Sequence, residues 1–230
     1  MKKFEFEAPK SLTDIVAGRL REAIVDGEFQ LGELISEETL AQSFGVSRTP
    51  VRDALTLLQT TGLVEIRAKR GSFVFQPTEP DIRAICDFRV VLEVHAATLS
   101  HALDKAGMLA DMEAVLADML AADAADDSVR YGRADSAFHD ALFTRCGNAY
   151  VRDAYRLLSG KVAALRTNLS RQFADARVVS LAEHRQMISL LERGDFGGLE
   201  QLLQLHVGRT VYAFRLAGEQ RSGTAARTAP

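Results

Sequence analysis

Asp135 and His139 stand four residues apart in the run Arg133-Ala134-Asp135-Ser136-Ala137-Phe138-His139. On a helix this spacing stacks a carboxylate and an imidazole on one face, about 6 Å apart along the axis. His184 and His206 follow on either side of Arg193-Gly194-Asp195, where two antiparallel helices could turn and bring them level. One carboxylate and three imidazoles converging inside a helical bundle suit Zn²⁺, Ni²⁺ or Mn²⁺ and leave positions for water or a ligand. Spacing constrains only the Asp135/His139 pair. The chain has five histidines, and spacing alone does not set His95 and His101 aside. Each histidine could instead be a hydrogen-bonded, partly buried side chain.

A second chemistry lies in Ser47-Arg48-Thr49-Pro50-Val51-Arg52. At the start of a helix this run offers two guanidiniums one turn apart with small hydroxyls between them. Arginine can bridge O6 and N7 of guanine, and Ser or Thr can hold phosphate through hydroxyl and backbone N–H. Charge is distributed to match. Residues 1–42 carry five Lys/Arg against nine Asp/Glu, a net of −4, whereas residues 43–76 carry five against two, a net of +3. The positive charge collects where phosphate contact would need it.

The elements that position these residues read as two domains. Ser11-Leu12-Thr13-Asp14 opens a helix whose apolar positions are Leu12, Ile15, Val16, Leu20, Ala23 and Ile24, with Gly27 as its stop. Ser36 caps a short second helix ending at Gly45, and Ser47 caps a third running to Gly62. Leu63-Val64-Glu65-Ile66 and Ser72-Phe73-Val74-Phe75 read as strands around the basic turn Arg67-Ala68-Lys69-Arg70-Gly71. Pro77-Thr78-Glu79-Pro80 reads as a linker. Helices are then expected near 81–104, 108–124, 130–146, 149–171, 176–193 and 196–217. The fold class is therefore mainly α. A winged helix-turn-helix over 8–76 is expected, joined by the linker 77–80 to a bundle of six or seven helices over 81–217, with 218–230 a disordered tail.

Composition agrees with a folded protein. The chain has 230 residues, 47% hydrophobic and 26% charged, with a net charge of −3. No apolar run approaches the roughly 18 residues of a membrane span, and Cys86 and Cys146 form no metal or disulfide pattern. A cytoplasmic location is the simplest expectation.

Leu40-Ala41, then Gly45-Val46-Ser47-Arg48-Thr49-Pro50-Val51-Arg52-Asp53-Ala54-Leu55, Gly62-Leu63-Val64 and Arg70-Gly71 resemble the winged helix of GntR-family bacterial transcription regulators. The resemblance implies DNA contact by Ser47, Arg48, Thr49, Pro50 and Arg52, and by Lys69, Arg70 and Gly71 at the wing. The helical part is similar to the FCD-type effector domain of the FadR subfamily, whose metal-binding members carry an Asp-x3-His pair and single histidines on two later helices. Asp135, His139, His184 and His206 match in order, which implies a divalent transition metal, Zn first and Ni or Mn after it. Phe88-Arg89-Val90-Val91-Leu92-Glu93 and Gly147-Asn148 fit the same pattern. Arg89 and Asn148 become candidates for binding an effector, with an Arg89–Glu93 ion pair at i+4 as the alternative for Arg89.

The resemblance thus implies a sequence-specific transcriptional regulator, a repressor by the commoner mode. A homodimer would bind a pseudo-palindromic operator and respond to a small organic acid. A catalytic role for the metal is the first rival, but no separate base, nucleophile motif or phosphate loop accompanies it. A direct metal sensor and a purely dimerising domain are the others.

Overall fold

A computed structural model describes residues 11–170 and 175–227, with side chains described for 11–169 and 177–217. The chain divides into two compact units, Met1–Gln76 and Pro77–Pro230.

In the first unit α1 (Leu12–Val25) begins in a capping box, Ser11 Oγ accepting from the Asp14 N–H at 3.1 Å while the Asp14 carboxylate accepts from the Ser11 N–H. It buries Val16, Ala17, Leu20 and Ile24, whereas Leu12 and Ile15 lie on the exposed side. The apolar face is therefore narrower than the sequence pattern suggests. β1 (Leu34–Ile35) leads into α2 (Glu37–Phe44), capped by Ser36 and ended by Gly45 at φ 64, a left-handed conformation glycine adopts without a Cβ clash. α3 (Arg48–Thr60) buries Val51, Ala54, Leu55 and Leu58.

β2 (Val64–Arg67) and β3 (Gly71–Val74) form the hairpin, with Arg67 opposite Gly71. The antiparallel sheet order is β1-β3-β2. β1 covers the free edge of β3, where an open row of backbone donors and acceptors would otherwise remain. Two residues are too short to show an alternation, so the sequence pattern contains no sign of it.

The second unit is helical among its described residues. α4 (Glu79–Ala124) starts inside the segment expected as a linker: Thr78 caps it with Asp81 in a second capping box, and Pro80 occupies the first turn. Proline is tolerated there because the first N–H groups have no intrahelical acceptor. α4 is broken at Asp104, whose φ −155 and ψ 71 are not helical. Asp104 Oδ1 accepts from Gly107 N–H at 2.9 Å, recapping the helix. Arg145 ties the bend to Asp104 and to Asp111. This is the break expected between 104 and 108.

Four helices follow: α5 (Ser128–Thr144), α6 (Ala149–Ser170), α7 (Asp175–Arg193) and α8 (Phe196–Arg227). α8 runs past Gly218, so the backbone over 218–227, expected as disordered, is helical. Each further residue of an existing helix adds one hydrogen bond at low nucleation cost, and no proline interrupts the run. Within the proposed tail and first domain, residues 228–230 and 8–10 lie outside the described residues, as does position 171 of the helix expected over 149–171.

Candidate metal centre and nucleic-acid interface

α5 presents Asp135 and His139 on its buried face, beside Phe138, which has no exposed surface. α7 and α8 are joined through Gly194 (φ 68) and Asp195, and this short connection sets His184 and His206 with ring centroids 4.8 Å apart. One donor atom from each of Asp135, His139, His184 and His206 falls in a set whose members lie within 4.8 Å of one another. His139 Nε2 is 3.2 Å from His206 Nε2 and 3.4 Å from His184 Nε2, and His184 Nε2 is 3.5 Å from Asp135 Oδ1. His95 is exposed, and His101 packs edge-on against Phe196; neither reaches the cluster.

The surrounding charges determine what the rings can do. Glu93 Oε2 lies 2.7 Å from His139 Nδ1, and Glu183 Oε2 lies 2.8 Å from His206 Nδ1. An ionised carboxylate only accepts, so each Nδ1 carries the proton and each Nε2 presents a lone pair to the centre. Arg89 Nη2 is also near His139 Nδ1, but at 3.3 Å; the shorter carboxylate contact sets the tautomer. Burial disfavours the charged rings. It pushes His184 down to about 3, helped by His206, and His206 down to about 4, while His139 falls well below its ordinary value through burial with Arg166 and Arg89.

Burial opposes the charge on Asp135, yet the Arg166 guanidinium 2.6 Å from Oδ2 holds its carboxyl well below the usual carboxylate range. Two neutral imidazoles with lone pairs facing at 3.2 Å repel unless a cation lies between them. Two such nitrogens, with His184 Nε2 and an Asp135 oxygen beside them, therefore fit a divalent transition metal, while His184 Nδ1 has no partner among the described residues to set its tautomer.

Arg89 forms the i+4 ion pair with Glu93. Its Nε donates to Glu93 Oε1 at 2.8 Å, and burial, which would strip its charge, is overcome by that carboxylate. It also lines a cavity of about 120 Å³ next to the cluster, together with Tyr131, Asp135, Arg166, Arg177, Ser180, His206, Arg209 and Thr210. Asn148 stands apart from that cavity. Its Oδ1 accepts from the Tyr150 and Val151 N–H groups at 3.1 and 3.2 Å, capping α6, and it is not among the residues lining the cavity. Asn is a preferred cap, and that need accounts for it.

Arg166, Arg177, Arg209 and Glu183 were not singled out by the sequence. Each looks locally like one more charge on an amphipathic helix. Only Glu183, directly preceding His184, carried a hint.

In the first unit, Ser47 precedes α3 with its hydroxyl making no cap bond, and Arg48, Thr49 and Arg52 are exposed, with Pro50 half-buried. Ser47 is thus the N-cap residue by backbone but leaves its side chain unused. Arg48 makes no ion pair among the described residues, while Arg52 reaches Glu37 Oε2 at 3.1 Å. At the wing, Ala68, Lys69 and Arg70 form an exposed three-residue turn. Lys69 is held at φ 60 and Gly71 at φ 106, the left-handed backbone such hairpins need.

A winged helix-turn-helix joined to a helical bundle that carries a cavity is the architecture of a DNA-binding regulator. Known proteins agree. Residues 12–74 match the family "Bacterial regulatory proteins, gntR family", and residues 84–209 match the FCD domain. The chain belongs to the GntR family and carries an FCD domain. It is 27% identical to the gluconate operon transcriptional repressor of Bacillus subtilis (strain 168), over 78% of this chain and 75% of the relative. It is 30% identical to a "Probable D-xylose utilization operon transcriptional repressor" of Paenarthrobacter nicotinovorans, over 84% and 85%. A solved GntR transcriptional regulator from Rhodococcus sp. RHA1 superposes with TM-score 0.76 at 28% identity, over 88% of this chain and 97% of that one. The protein is a DNA-binding transcriptional regulator, and its family and relatives are regulators, not enzymes. No described helix is long and apolar enough to cross a membrane.

Proposed function

We infer that this regulator is a metal-containing repressor, of the FadR subfamily, released from its operator by a small organic acid. The observation that carries the reading is the 3.2 Å approach of His139 Nε2 to His206 Nε2 with both opposite nitrogens held by carboxylates. Asp135, His139, His184 and His206 would hold the metal, Zn²⁺ first by its preference for nitrogen and oxygen donors in fours, with Ni²⁺ or Mn²⁺ as the alternatives. The bound metal would supply a Lewis-acidic site for a carboxylate oxygen. The chain's own part is to orient: Glu93 and Glu183 fix the imidazole tautomers, Arg166 turns Asp135, and Arg89 with Arg166 offers N–H groups to the acid.

In the DNA-binding unit, Arg48 and Thr49 would meet base edges and Ser47, Pro50 and Arg52 the backbone around them, with Lys69, Arg70 and Gly71 at the neighbouring groove. A homodimer would present two such helices to a pseudo-palindromic operator. The repressor names of the relatives support the sign. Coupling requires only that the acid bind the DNA-competent and DNA-incompetent forms unequally.

The test is metal content per chain of untagged protein, followed by operator binding with and without a carboxylic acid panel. About one transition metal per chain, and weakened operator binding by an acid only in the metal-loaded protein, is the expected result. Protein that takes up no metal when Zn²⁺, Ni²⁺ and Mn²⁺ are offered overturns the cage.

A further inference from the structure

The cavity beside the cage has a volume of about 120 Å³ and is lined by residues of α4, α5, α6, α7 and α8. Arg177 precedes His184 on α7 by seven residues, and both Arg177 and His206 line the space. Seven residues of helix are about 10 Å. Asp135 pairs with Arg166, and one turn earlier on α5 Tyr131 lies under Arg177, whose guanidinium carbon is 5.9 Å from the ring centroid.

Two buried guanidinium nitrogens have no hydrogen-bond partner among the described residues: Arg166 Nη2, beside Asp135, and Arg177 Nη1, beside Tyr131. Their other nitrogens are engaged. Arg166 Nε meets Asp135 and its Nη1 meets Ser136 Oγ at 3.2 Å. Arg177 Nε is 3.4 Å from Asp123, and its Nη2 is 2.9 Å from Asp126. Both arginines are thus held in place with one donor left over. An unpaired buried donor is costly, and a ligand oxygen is the natural acceptor.

Arg89, Arg166, Arg177 and Arg209 stand against Glu93, Asp135, Glu183, Asp123 and Asp126, so a divalent ion in the cage would leave one positive charge to be met by the ligand.

We propose that the effector is a diacid, with one acidic group at the cage and Arg166 and the second on Arg177. Ser180 and Thr210, which also line the cavity, offer hydroxyl partners to its middle. The inference rests on the reading above that the cavity receives an acid beside the cage.

Calorimetric titration of the zinc-loaded full chain with glutarate and with pentanoate tests it, since the two share a chain length and differ by one acidic group. Glutarate is expected to bind at least tenfold tighter. Arg177→Gln should abolish that preference while leaving pentanoate affinity as it was, and Arg177→Lys should restore part of it. Equal affinity for the two acids overturns the diacid while leaving the carboxylate reading intact. So does a preference that survives in a folded Arg177→Gln chain. If neither acid binds, the diacid is overturned, and the acid panel on operator binding separately decides the reading it rests on. Should Arg177→Gln not fold, the wild-type ratio and Arg177→Lys decide.

Discussion

His139 Nε2 and His206 Nε2 face one another at 3.2 Å, while Glu93 and Glu183 hold the opposite nitrogens of the same two rings at 2.7 and 2.8 Å. The carboxylates fix the protons on the outside of the pair and so turn both lone pairs inward. In a site this buried an imidazolium is disfavoured, which leaves a shared cation as the way to relieve the contact.

Zinc should therefore stabilise the fold. A ligand that binds only the native state adds about 2.7 kcal/mol at a hundred times its Kd, which for a chain of this size is a rise of about 5–10 °C in Tm. Scanning calorimetry of chelator-stripped protein with and without equimolar excess Zn²⁺ checks this. The shift should disappear in His139→Ala, and an equal shift in that variant would place the metal elsewhere.

Glu93 stands between Arg89 and His139, accepting from Arg89 Nε with one oxygen and from His139 Nδ1 with the other. Glu93→Gln keeps an acceptor for one partner but leaves Arg89, 3% exposed, without its counter-charge. A buried charge stripped of its partner costs about 3–5 kcal/mol. Urea unfolding should show a loss of that order, and zinc affinity should fall about 10–100-fold. A variant as stable as the wild type would mean that Asp135 alone compensates Arg89.

The cage illustrates how far spacing reaches. Asp135 and His139 are coupled by one helical turn and could be paired from sequence. His184 and His206 meet only because α7 and α8 double back at Gly194, and their inclusion over His95 and His101 came from family resemblance. Arg166 and Arg177 could not be found this way, because a guanidinium turned inward has the same local pattern as one turned to water. Asn148 shows the converse: its cap of α6 through Oδ1 depends on backbone N–H groups that the sequence pattern does not display. β1 escaped notice as a two-residue strand defined by its partner, and Leu12 and Ile15 joined an apolar stripe that packing does not use.

Glu79 links the two ends of the helical unit, accepting from Arg83 on its own helix and from Arg215 on α8. Those hydrogen bonds, Arg215 first, lower its pKa from 4.5 to about 2. A lowered carboxylate pKa contributes stability above the unfolded value, and that contribution is lost as pH falls through the folded one. The Tm difference between wild type and Glu79→Gln should thus be constant above about pH 5, shrink below pH 4.5 and be gone near pH 2. The group is exposed and screened, so the difference should also shrink in high salt. A difference that is unchanged at pH 3 or grows on acidification would show that the charge of Glu79 is not what the variant removes.

Arg48 and Arg52 sit one turn apart on α3 but are differently committed. Arg48 is exposed and without an ion pair among the described residues, whereas Arg52 is engaged with Glu37 at 3.1 Å. An uncommitted guanidinium at the first turn can turn to guanine. One shared with a carboxylate on the preceding helix is better placed to keep its hold and meet the phosphate beside it. Arg48→Ala should cost about 1–3 kcal/mol on the operator and little on random DNA, because it removes base reading. Arg52→Ala should weaken both DNAs alike and reduce the slope of log K against log salt by about 0.9 per subunit, because it removes a phosphate contact. Fluorescence anisotropy on operator and scrambled duplexes across a salt series separates the two. If the Arg48→Ala loss is equal on both DNAs and Arg52→Ala is the selective one, the Glu37 pair is broken on binding and the two arginines exchange roles.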